Sequence, residues 1–134
     1  MLATQSPGLY IVYDDIKKRC VHCAEDIEKG SLIELAPVII IPKAQVDVIN
    51  KTVLYDYYFV WDMHEGSIAI ALGYGSLYNH SDEPNADFEV QLSDGYISFR
   101  ATKDIVAGDE ILVDYISLKA VSYTHLTLPT TPYV

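Results

Sequence analysis

Residues 73–81 read GYGSLYNHS, residues 84–85 read PN, and residues 108–115 read GDEILVDY. These three segments decide the fold. Each of the longer two opens on glycine and runs into strand-forming residues, and neither carries helical periodicity. Gly73-Tyr74-Gly75 has the look of a phosphate loop. It lacks the following glycine and lysine that such a loop needs, so it is not read as one. Outward from these segments, short strand-like runs dominate: residues 9–13 (LYIVY), 20–24 (CVHCA), 31–41 (SLIELAPVIII) and 68–72 (IAIAL). All are rich in β-branched or apolar residues. Residues 43–50 and 53–58 read as short helices.

Two local patterns add detail. Asp94-Gly95 suits a two-residue hairpin turn with positive φ. Such a turn pairs Leu92 with Ile97, Val90 with Phe99 and Phe88 with Ala101, apolar against apolar, so one face of the hairpin is expected to be buried. The second pattern is an echo, D-I-x-x-G, at residues 26–30 and again at 104–108. Both copies read as strand, tight turn, strand, with glycine supplying the turn. The expected fold class is mainly β, a compact domain of short strands with a few short helices.

The chain has 134 residues, half of them apolar, which suits one domain with a real core. Nineteen acidic residues against nine basic ones give a net charge of −10. That surface repels phosphate backbones, so no direct nucleic-acid binding is expected; it suits either attraction of a basic protein or peptide or solubility alone. No N-terminal segment reads as a signal peptide's basic start and apolar core, and the longest apolar run, residues 38–41 between Pro37 and Pro42, is far too short to span a bilayer. A cytoplasmic protein without membrane contact is expected. Two cysteines make no disulfide framework. Cys20 and Cys23 flank His22, but a four-ligand zinc site needs two more well-placed groups, and thioredoxin-like context is missing. They read as two half-buried strand cysteines, and no metal is expected.

The ordered segments NHS, PN and GDEILVDY, with the 26–34 stretch DIEKGSLIE ahead of them, resemble the diagnostic motifs of the SET domain family of protein-lysine methyltransferases. The resemblance spans about residues 8–117 and is nearest to the short bacterial and viral members. It implies the SET fold, several short curved sheets closed by a C-terminal pseudoknot, and S-adenosyl-L-methionine as cofactor. Carried over, Asn79 and His80 contact the cofactor, with Asn79 near its methionine end, and Tyr115 stands at the methyl-transfer site. Residues 71–75 supply the edge that a substrate peptide joins as an added strand, which assigns Leu72, Gly73, Tyr74 and Gly75 to substrate binding.

The chemistry agrees with these roles. Methyl transfer from a sulfonium needs a neutral amine, and lysine's pKa of roughly 10.4 makes neutrality at pH 7 cost on the order of 4–5 kcal/mol. A narrow aromatic channel disfavours the charged form by desolvation. Tyr115 and Tyr78 are the catalytic candidates, with Tyr74 as a further channel wall. Trp61 reads better as a core aromatic.

The sequence departs from the family in places. Where the family carries G-x-G beside the cofactor, this chain has Lys18, Arg19 and Cys20, which are taken as cofactor-binding, with Lys18 or Arg19 meeting its carboxylate. Val113 stands where some relatives place an aromatic that tunes methylation state. The cysteine-rich zinc segment of many relatives is missing. Residues 121–130, VSYTHLTLPT, resemble a translated sequencing adaptor. The expected organisation is therefore a tail at 1–7, a SET domain at 8–117, and a truncated end with a non-native tail at 118–134. Two functions compete: a protein-lysine methyltransferase, and a catalytically silent SET-fold module that binds basic peptides.

Overall fold

Successive runs of Leu, Ile and Val separated by glycine turns fold as strands, because branched side chains pack well on a pleated surface. The computed structural model describes residues 4–6 and 8–115; the adaptor-like tail lies outside the described residues. In chain order the elements are β1 (Thr4–Gln5), β2 (Leu9–Asp14), β3 (Lys18–Cys23), β4 (Leu32–Ile41), α1 (Lys43–Ile49), β5 (Tyr58–Asp62), β6 (Ser67–Ala71), β7 (Asn79–His80), β8 (Ala86–Gln91), β9 (Tyr96–Ala101) and β10 (Leu112–Val113). Short 3-10 turns occupy Val53–Asp56 and Gly75–Leu77. The segment read as one helix at 53–58 thus divides. Thr52 caps the 3-10 turn through Leu54 N–H, and Tyr58 already begins β5. Within the expected N-terminal tail, Thr4 pairs with Leu35 and Gln5 with Glu34. No helix among the described residues is long and apolar enough to cross a membrane.

The ten residues of β4 organise the main sheet, whose order is β5-β6-β4-β9-β8. Up to Pro37, β4 pairs with β9; from Val38 it pairs with β6. Proline has no N–H to give to a ladder, so it falls at the change of partner. The core lies under this sheet. Phe59, Phe88 and Phe99 meet edge to face or tilted, and Tyr78 packs on Phe99 at 4.7 Å between ring centroids. Ile33, Ile97, Ile111 and Val113 are fully buried around them, each such side chain contributing about 1.5–3 kcal/mol by leaving water. Trp61 belongs to the same core.

The hairpin forms, but two residues out of the expected register. Phe88 pairs with Phe99 and Val90 with Ile97, and the last pair is Gln91 with Tyr96. A two-residue turn needs positive φ at both central positions. Gly95 has it (φ +81°) and Asp94 does not. The loop therefore takes four residues, with Asp94 N–H and Gly95 N–H both donating to the Gln91 carbonyl. A slip of two keeps every side chain on its expected face, so the buried face survives.

The D-I-x-x-G echo is also a spatial one. Ile27 and Ile105 exchange both backbone hydrogen bonds at 2.8 Å. Asp26 accepts from Ala107 N–H, and Asp104 accepts from Lys29 N–H, both at 2.8 Å. Gly30 N–H donates to Ala101, and Gly108 N–H to Cys23. Each turn caps the other about a local two-fold relation. The pairing draws β3 towards the chain that leads into β10.

Gly75 is demanded by proximity. A Cβ there would sit 2.5 Å from Ala71 Cβ and 3.0 Å from Ala36 Cβ. Gly75→Ala should cost about 1–3 kcal/mol, seen as a lower urea midpoint at unchanged slope. Gly95→Ala, where nothing lies within 4 Å of the added carbon, should cost only the strain of its positive φ, about 1 kcal/mol. Equal midpoints for the two variants would contradict this packing.

Candidate active site

The NHS and GDEILVDY segments run side by side. Asn79 pairs with Leu112 and His80 with Val113 in a parallel two-strand ladder. Two strands this short do not hold together alone. Asn85, from the PN motif, supplies the clamp: its Oδ1 accepts from Leu112 N–H at 2.8 Å and its Nδ2 donates to the Glu110 carbonyl at 2.9 Å. Its own N–H reaches the Leu112 carbonyl.

Two adjoining hollows share Asp56, Tyr57, Ser76 and Tyr115 in their walls. One is polar and adds Lys17, Arg19, Leu77 and Asn79. The other is aromatic and adds Tyr55, Tyr58 and Phe59. Glu110 ties the polar side together. It accepts from Asn79 Nδ2 at 2.7 Å and pairs with Lys17 Nζ at 2.7 Å, while Asn79 Nδ2 also donates to the Arg19 carbonyl at 2.8 Å. Burial pushes the Glu110 carboxyl up, but the bonds from Asn79 and Lys17 outweigh it and hold it below the usual carboxylate range. The same pair holds the Lys17 ammonium above its ordinary value.

Tyr115 donates its hydroxyl to the Tyr78 carbonyl and its N–H to His80 Nδ1 at 3.1 Å. Nδ1 is therefore the acceptor, and Nε2 carries the proton towards Asp82 at 3.2 Å. Burial, then the Tyr57 hydroxyl and the Glu110 charge, push the Tyr115 phenol above its ordinary value. It stays neutral near pH 7 and serves as a hydrogen-bonding group, not as an anion.

The site residues expected from sequence divide accordingly. Tyr115, Asn79 and Arg19 line the hollows. His80 stands behind Tyr115, its ring 5.6 Å away. Lys18 and Cys20 flank the polar hollow without lining it, and Lys18 holds φ +73°, alone among the described non-glycine residues in the positive range. Tyr78 is placed differently from a channel wall. It is fully buried, its hydroxyl 2.6 Å from the buried Glu34 carboxylate, and burial followed by the Glu34 charge pushes its phenol up. Its main-chain oxygen accepts from the Tyr115 hydroxyl. Tyr74 is likewise turned away, its hydroxyl meeting the Leu9 carbonyl and its N–H the Glu34 carboxylate. The free edge expected at residues 71–75 is smaller than anticipated, because β6 is an inner strand between β5 and β4. Only the turn beyond it, with Leu72 and Gly73 exposed and Gly75 buried, is left over. The two cysteines are buried, at 4% and 0% exposure, instead of half-buried.

Lys17, Asp56, Tyr57 and Glu110 escaped the sequence reading. Glu110 lies inside GDEILVDY, and Tyr57 in the tyrosine-rich run 55–58, so both were within reach of it. Lys17 had no signal beyond its neighbours.

The SET domain family matches residues 18–116. The chain is 33% identical over 100 residues to the histone-lysine N-methyltransferase, H3 lysine-37 specific, of Schizosaccharomyces pombe, covering 74% of this chain and 67% of that protein. Among solved structures, a Plasmodium falciparum protein described as a proposed histone methyltransferase superimposes with a TM-score of 0.62 at 30% identity, over 82% of this chain and 94% of that one. A SET8 protein of Cryptosporidium gives 0.65 at 24% identity, over 81% of this chain and 57% of that one, and so shares the fold.

Glu110→Ala should cost about 1–3 kcal/mol by leaving the Asn79 amide and Lys17 short of an acceptor. Because the folded value of Glu110 is depressed, its stabilisation is present above the unfolded carboxyl pKa of about 4.3 and lost as pH falls through the folded value. Melting temperature against pH should fall less steeply on the acid side in Glu110→Gln than in wild type. Parallel curves would contradict the assigned role.

Proposed function

Because the chain belongs to the SET domain family, we propose that it is a protein-lysine N-methyltransferase using S-adenosyl-L-methionine. The observation that carries this reading is the junction of a polar hollow with an aromatic one at Tyr115. Donor and acceptor must meet in line, and most of the rate comes from positioning and electrostatics.

The polar hollow fits the cofactor's zwitterionic methionine end. Asn79 commits its Nδ2 to Arg19 and Glu110, which leaves its amide oxygen to accept from an ammonium. Lys17 and Arg19 offer positive charge to a carboxylate. When bound, the cofactor supplies an electrophilic methyl group on a sulfonium. The aromatic hollow as it stands holds about 10 Å³, room for roughly one water, so its walls must part to admit a lysine. Tyr55, Tyr57, Tyr58 and Phe59 would then strip water from the amine and favour its neutral form. Tyr115, neutral and with its proton directed to the Tyr78 carbonyl, turns oxygen lone pairs towards that junction. Asp56 and the net charge of −10 favour approach of a basic protein. A histone-like or other basic substrate follows from this charge and from the named activity of the yeast relative.

The silent-module reading drew on the missing G-x-G. The backbone at Lys18 nevertheless keeps the left-handed conformation that glycine favours, at a cost of roughly 1–2 kcal/mol. The loop trace therefore survives the loss of the first glycine, which supports the enzyme reading.

Calorimetric titration with S-adenosyl-L-methionine should give saturable one-site binding. Asn79→Ala should weaken it at least tenfold, and Tyr115→Phe should leave it within about twofold. No binding to the wild-type chain, together with basic-peptide binding indifferent to Tyr115→Phe, would favour the silent module.

A further inference from the structure

Beside the polar hollow, three residues of different chemistry share one face. Cys20 and His22 are two apart on β3, so their side chains point the same way. Glu110 stands directly across from His22 in an antiparallel bridge. The Cys20 sulfur, an imidazole nitrogen of His22 and a Glu110 carboxylate oxygen all lie within 4.8 Å of one another. His22 Nδ1 is 2.9 Å from the Gly108 carbonyl. A carbonyl only accepts, so Nδ1 carries the proton and Nε2 keeps its lone pair. A backbone oxygen fixing the tautomer in this way is the usual support of a metal-binding histidine.

We propose that Cys20, His22 and Glu110 form a binding site for one zinc ion, whose occupation opposes cofactor binding. Sulfur, imidazole nitrogen and carboxylate oxygen are the three donor types of zinc, and three protein ligands leave a fourth position for water. The thiolate selects zinc over magnesium or calcium. Tetrahedral bonds of about 2.0–2.3 Å put ligand atoms roughly 3.3–3.8 Å apart, so the cluster needs to close by only about one ångström. Binding releases the thiol proton of Cys20 to solvent, involves no change of oxidation state, and takes Glu110 from Lys17. That lysine is 43% exposed in its side chain and swings into water. Cys23 takes no part: its sulfur lies towards the Val106 and Asp109 carbonyls, on the core side of β3. No metal is expected from sequence because two more well-placed groups are needed, and Glu110 arrives from far along the chain.

The antagonism rests on the proposed function, because Glu110 is the partner of both Lys17 and Asn79. Zinc on Glu110 withdraws the acceptor that orients the two groups read as holding the cofactor's methionine end. By reciprocity, cofactor binding then weakens zinc by the same factor.

The test uses the full chain, reduced and treated with chelator. Cobalt(II), a spectroscopic stand-in for zinc, should produce a thiolate-to-cobalt charge-transfer band that saturates at about one equivalent and is displaced by zinc. Cys20→Ala should abolish the band, His22→Ala should weaken binding at least tenfold, and Cys23→Ala should leave it intact. Circular dichroism checks that each variant is folded; should Cys20→Ala not fold, the half-exposed His22→Ala decides. A wild type without the band, or a band kept in Cys20→Ala or undiminished in His22→Ala, overturns the site. Calorimetry with S-adenosyl-L-methionine should then show at least tenfold weaker binding when one equivalent of zinc is present, and no zinc effect in His22→Ala. Equal binding with and without zinc overturns the antagonism. Absence of cofactor binding in both cases defeats the proposed function and the antagonism with it, while the cobalt titration still decides the metal site.

Discussion

Two residues of β7 laid parallel against two of β10 bring the candidate active site together. Neither strand is long enough to be stable alone, and parallel pairing is slightly weaker per residue than antiparallel. The contact persists because Asn85 hydrogen-bonds β10 and because the paired D-I-x-x-G turns hold the approach to β10 against β3. Asn79 and Tyr115, distant in sequence, become neighbours only through this crossing. The core beneath it, from Tyr78 and Phe99 to Ile111 and Val113, is fully buried and resists displacement of either strand.

Two carboxylates with opposite surroundings organise the rest. Glu34 is buried and receives the Tyr78 hydroxyl and the Tyr74 N–H. Both tyrosines are thereby fixed as scaffold. Glu110 lies at the rim of the polar hollow and holds Lys17 and Asn79. A buried charge is tolerated only when hydrogen-bonded, and here each carboxylate uses that requirement to orient neighbours. The aromatic hollow has Tyr55, Tyr58 and Phe59 in its wall and only Asp56 as a charged neighbour, whereas the polar hollow adds Lys17 and Arg19.

Much of this was legible in the sequence, and the limits have physical causes. Motif order announced the fold, since NHS, PN and GDEILVDY must lie at fixed separations to cross. Strand runs were readable where branched residues cluster, as at 31–41, but 58–62 was obscured because tyrosines 55, 57 and 58 serve turn and strand alike. The hairpin register turned on whether Asp94 adopts positive φ, a preference too weak to read locally. Tyr78 was misplaced because its environment is set by Glu34, whose burial no local pattern reveals. Lys17 stands beside the expected Lys18 and not at it, because the turn from β2 into β3 gives the left-handed position to Lys18 and turns its neighbour towards Glu110.

The central claim is chemical, and mass spectrometry tests it most directly. The chain, incubated with methyl-deuterated S-adenosyl-L-methionine and a mixture of histones, should place labelled methyl groups on lysine side chains, with the rate falling about a hundredfold in Tyr115→Phe. A chain that binds the cofactor yet leaves every lysine unlabelled would contradict it.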